Sequence, residues 1–146
     1  MAYVDLNPVR AAIAPTPEQS DFTSIQLRIK AAIKGTQPSV LLHFVGNEQQ
    51  DKTTGIRFSL QDYLTLVDET GRILRDDKRG AINSETTEIL TRLHISDESW
   101  MKLTTNFEKI FTGAVGSAEH LCAFTEHVGL HRTHGLANAK ACLNSA

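Results

Sequence analysis

Ser96-Asp97-Glu98-Ser99-Trp100-Met101-Lys102-Leu103-Thr104-Thr105-Asn106-Phe107-Glu108-Lys109-Ile110-Phe111 is the stretch that decides the fold class. Trp100, Leu103, Phe107, Ile110 and Phe111 recur at helical spacing, so they line one face of a helix. Ser96 stands where an N-cap belongs. The same grammar repeats in both directions. Ser117 caps a helix with Leu121, Phe124 and Val128 on its apolar side, and a further helix is read from Leu136 to Leu143. Upstream, Ser84 caps a helix carrying Ile89, Leu90 and Leu93. Ser59, with Asp62 three positions on, opens another that presents Leu60, Tyr63, Leu64, Val67 and Leu74. From Asp21, the positions Ile25, Ile29, Ala32 and Ile33 keep helical spacing until Gly35 stops them. The one strand-like run, Ser39 to Val45, reads equally as a buried turn of helix. The expected architecture is all-α, a compact bundle of five or six short helices.

The 146 residues suit one folded domain, and 40% hydrophobic residues are enough for a core. The formal net charge of −2 is a poor footprint for a free-standing nucleic-acid binder, although local patches outweigh the sum. Cys122 and Cys142 form no framework or metal-binding pair, which fits a reducing cytoplasm. No leader sequence and no membrane-length apolar run is present, so a cytoplasmic protein without membrane contact is expected. Residues Gly46 to Gly55 read as a polar loop.

Met1-Ala2-Tyr3-Val4-Asp5-Leu6-Asn7-Pro8-Val9-Arg10-Ala11 carries the chemistry. Tyr3 to Leu6 reads as a helix end. Asn7-Pro8 reads as an N-cap with proline at the first helical position. Arg10 is placed either to contact a DNA phosphate or to pair with Asp5 or Glu18. This stretch resembles the tyrosine motif of the HUH single-tyrosine transposases, in particular the REP-associated tyrosine transposases. In that family a helical tyrosine is followed by three mostly apolar residues and then Asn-Pro-Val-Arg or Asn-Pro-Val-Lys. Asp21-Phe22-Thr23-Ser24-Ile25 is similar to the element that follows the motif in long members.

The resemblance implies that Tyr3 is the inherited nucleophile. A phenol attacks a phosphodiester and holds the strand as a phosphotyrosine. It also implies a Mg or Mn cation held by two histidines that flank one hydrophobic residue. The histidines here are His43, His94, His120, His127, His131 and His134, and no two are separated by one residue. The expectation is therefore a C-terminal transposase fragment with no cofactor of its own, lacking the metal-binding half and inactive alone. Residues 1–14 would be the tyrosine-helix remnant and 15–146 a helical extension. Single-stranded or hairpin DNA and a second copy of the chain are the implied partners. The alternative is a stand-alone helical module that binds DNA or protein without catalysis.

Three further features carry less. His127, His131 and His134 would share one face of a continuous helix and could ligate a metal there, with Cys122 as a fourth ligand, but Gly129 and Gly135 interrupt it. Arg72, Arg75, Lys78 and Arg79 are interleaved with Asp76 and Asp77, the pattern of a solvated surface. The Ser117 to Val128 helix has Glu119 and Glu126 but no Arg or Lys, which argues against a major-groove reader.

Overall fold

The computed structural model describes residues 1–46, 54–75 and 82–143. Most of the expected Gly46 to Gly55 loop, and Lys78 and Arg79 of the basic cluster, lie outside them. Among the described residues the fold is all helical, with no β-strand; Phe44 and Ile56 form an isolated parallel bridge. The chain divides into two compact units, Met1–Thr86 and Thr87–Ala146.

The first unit begins with two short helices, α1 (Ala2–Asp5) and α2 (Asn7–Arg10). Leu6 joins them with φ −89° and ψ −3°, so the backbone stays in the right-handed helical region. Asn7 is therefore not the expected N-cap. It is already helical, and its side chain turns to other work. A 3₁₀ turn (Pro17–Gln19) leads to α3 (Ser24–Ala32), then α4 (Leu60–Arg75). The 3₁₀ turn packs on α3 and α4, and α2 packs on α4. Leu6, Val9, Ala14, Ile25, Phe44, Tyr63, Leu66 and Val67 are buried in this unit.

The periodicity of α3 misled in part. Ile25 is buried, but Leu27 and Ile33 are exposed while Gln26 and Arg28 are inside. The cause is hydrogen bonding. Gln26 Nε2 donates to the Glu18 carbonyl at 3.0 Å and to Asp21 Oδ1 at 2.8 Å, which ties the preceding loop to the helix. Thr23 caps α3 by accepting from the Gln26 N–H at 3.3 Å, so the helix starts later than Asp21.

The helix α5 (Ser84–Arg92) is capped by Asn83, whose Oδ1 accepts from the Thr86 N–H at 2.8 Å, rather than by Ser84. In the second unit, α6 (Asp97–Ile110) starts at Ser96 as expected, its hydroxyl accepting from the Ser99 N–H at 3.2 Å. Ser117 caps α7 (Ala118–Val128), and Gly129 ends it in the left-handed conformation at φ 70°. The last helix is α8 (Leu136–Leu143). Both α6 and α7 pack on α8 around Leu103, Phe111, Leu121, Ala139 and Cys142. Phe124 and Val128, expected in this core, are instead half exposed. No helix among the described residues is long and apolar enough to cross a membrane.

Candidate functional site

The α1–α2 segment has two faces. Ala2, Asp5, Leu6 and Val9, at i, i+3, i+4 and i+7, are all buried. That spacing is one side of a helical cylinder. Tyr3, Asn7 and Arg10, at i, i+4 and i+7, form a second stripe beside it. Asn7 is exposed, and Tyr3 and Arg10 are partly so. The Arg10 guanidinium lies over the Tyr3 ring, 4.0 Å from its centroid. Arg10 Nη2 also donates to Asn7 Oδ1 at 2.7 Å. Asn7 thus steadies the arginine, and the arginine covers the tyrosine. A cation over an aromatic face in such a position contributes about 0.5–1 kcal/mol. Asp5 points inward to other partners.

Those partners are what sequence reading missed. Asp5 is only 3% exposed. Its Oδ1 accepts from the Ser24 hydroxyl at 2.6 Å, and its Oδ2 accepts a short hydrogen bond from the Tyr63 phenol. The two donors come from α3 and α4. Tyr63 stacks on Phe44, with ring centroids 5.0 Å apart. The Arg28 guanidinium lies 4.8 Å from the Phe44 centroid and donates from Nη2 to the Leu42 carbonyl at 3.1 Å. Arg28 Nε and Nη1 are buried and have no hydrogen-bond partner. Burial pushes the Tyr63 phenol far above its ordinary range. The Asp5 carboxylate, by its charge and by accepting the phenol's hydrogen bond, pushes the same way, and the Arg28 charge opposes. Tyr63 is therefore a neutral donor at any ordinary pH. The available signal was the polar Asp5 inside an otherwise apolar inward stripe, which demanded buried donors elsewhere.

The histidines do not assemble. His127 belongs to α7, and the Gly129 turn separates it from His131 and His134. Among the described residues no three His, Cys, Asp or Glu side chains converge as a metal site. The sequence also lacks the paired histidines that the resemblance attaches to a divalent cation. These residues do not fit that cation. Arg72 is paired with Asp68 on the surface at 2.9 Å, in keeping with a solvated face. No family model, no curated protein and no solved structure matches the chain.

Proposed function

We propose that this chain is the tyrosine-bearing helical portion of a transposase-related protein acting on DNA. Tyr3 is its inherited nucleophile, and Arg10 contacts a backbone phosphate beside it. The supporting observation is the Tyr3–Asn7–Arg10 stripe, open to solvent in part, on a helical segment whose adjoining face is buried. A phenol beside a guanidinium suits a phosphodiester: the cation draws the phosphate in, and the oxygen stands ready to bond to phosphorus. In that step the P–O bond to the leaving sugar oxygen breaks, and the phenolic proton passes to that oxygen. An unassisted phenol is a weak nucleophile, because its ordinary pKa is near 10. Without the paired histidines, the chain by itself is expected to bind but not to cleave.

The test is a gel shift with single-stranded hairpin DNA, run at low and at physiological salt. Binding that weakens with salt is expected, since phosphate contacts release counterions. Arg10→Ala should weaken it by about fivefold to tenfold, or about 1–1.4 kcal/mol. No binding at low salt contradicts the proposal. Incubation with Mg²⁺ or Mn²⁺ should yield no covalent adduct at Tyr3; an adduct would show that the chain is catalytically sufficient.

A further inference from the structure

We propose that Asp5, Ser24 and Tyr63 are positioning residues for Tyr3, a buried clamp that sets which way the tyrosine helix faces. The proposal rests on the reading of Tyr3 as a nucleophile.

Four-residue helices such as α1 and α2 do not hold themselves, since isolated helices need several turns to be stable. The α1 N-terminus has no side-chain cap either. Its rotation about its own axis must come from tertiary anchors. Leu6 is one, at 0% exposure, but an apolar side chain tolerates a range of angles. A carboxylate held at both oxygens does not. Asp5 accepts from Ser24 on one oxygen and from Tyr63 on the other. The plane of the carboxylate is thereby fixed by α3 and α4 together. Asp5 and Tyr3 are two residues apart, about 200° around a helix of 3.6 residues per turn. Holding Asp5 inward therefore turns Tyr3 outward, where Arg10 lies over its ring.

Tyr63 is itself held by stacking on Phe44, so the clamp has a rigid base. The burial of Asp5 argues in the same direction. A polar side chain deep in a helix interface is a costly choice where an apolar one would pack. Its directional bonds give orientation that apolar packing lacks.

The chain has two tyrosines, so 3-fluorotyrosine labelling gives two ¹⁹F resonances. Tyr63→Phe removes one and assigns both. It also keeps the ring on Phe44 and deletes only the hydroxyl. Asp5→Asn keeps the shape and removes the charge. In the whole 146-residue chain, the Tyr3 resonance should depend on Arg10, moving in Arg10→Ala. In Tyr63→Phe and Asp5→Asn it should shift toward the position of free fluorotyrosine and lose that dependence, while helical circular dichroism is retained. A Tyr3 resonance that stays in place and keeps its Arg10 dependence in both folded variants overturns the proposal. So does unfolding of both variants, because the bonds would then hold the whole unit and not the tyrosine face. Hairpin DNA affinity measured on the same proteins separates the two readings. The expected result is a several-fold loss in both variants. A shifted resonance without DNA binding in any form removes the nucleophile reading alone. DNA binding with an unmoved resonance removes the clamp alone.

Discussion

Tyr63 presses a phenol against a buried carboxylate, and that contact should make the first unit sensitive to alkali. The folded chain holds the phenolic proton more tightly than the unfolded chain, whose phenol titrates near pH 10. Below that pH both states are protonated and the stabilisation is complete. Above it the unfolded chain releases a proton that the folded chain keeps, so stability falls as pH rises, by up to about 1.4 kcal/mol per pH unit. Denaturant midpoints of the first unit across that range should drop more steeply for the wild type than for Tyr63→Phe. At neutral pH the same variant should lose about 1–3 kcal/mol, because it leaves a buried carboxylate with one donor fewer. Asp5 shows how a residue can be legible as a position and not as a role. Helical spacing puts it on the inward stripe with Ala2, Leu6 and Val9. Its donors, however, lie 19 and 58 residues away along the chain, and nothing in a single sequence links those positions.

At the scale of elements, two serine caps were read correctly, while the apolar face of α7 was read only in part: Leu121 is buried, but Phe124 and Val128 are half exposed. Ser96 and Ser117 head the helices they were expected to head, because a serine followed by apolar residues at helical spacing is a strong local signal. Ser96→Ala should cost about 1 kcal/mol, read by denaturation followed through Trp100, the chain's single tryptophan. The helix α3 was read less well because its buried face carries Gln26 and Arg28, whose burial depends on partners in loops. Within α4, Gly71 looks at first like a packing requirement against Leu6 and Pro17. A methyl group built there would sit 3.4 Å from Leu6 and 3.5 Å from Pro17, which is ordinary contact. Gly71→Ala should therefore stabilise the protein by about 0.5–1 kcal/mol through helix propensity, seen as a raised denaturation midpoint. A loss of more than that amount would show that the contact is tighter than these distances.

For the whole molecule, the all-α class was legible from periodicity alone, whereas the division between Thr86 and Thr87 was not. It falls inside α5, where no proline, glycine or polar linker marks it. Residues 1–14 lie within the first unit, with α2 packed on α4. The second unit has its own core, and Leu103→Ala there should cost about 2–5 kcal/mol, measured by Trp100 fluorescence in denaturant. The net charge of −2 makes any DNA contact a matter of local geometry. The most direct measurement is photo-crosslinking of the chain to a hairpin DNA carrying bromodeoxyuridine, with the crosslinked peptide identified by mass spectrometry. Crosslinks are expected in the tryptic peptide that ends at Arg10 and contains Tyr3. Crosslinks confined to residues of the second unit, or none at low salt, would contradict it.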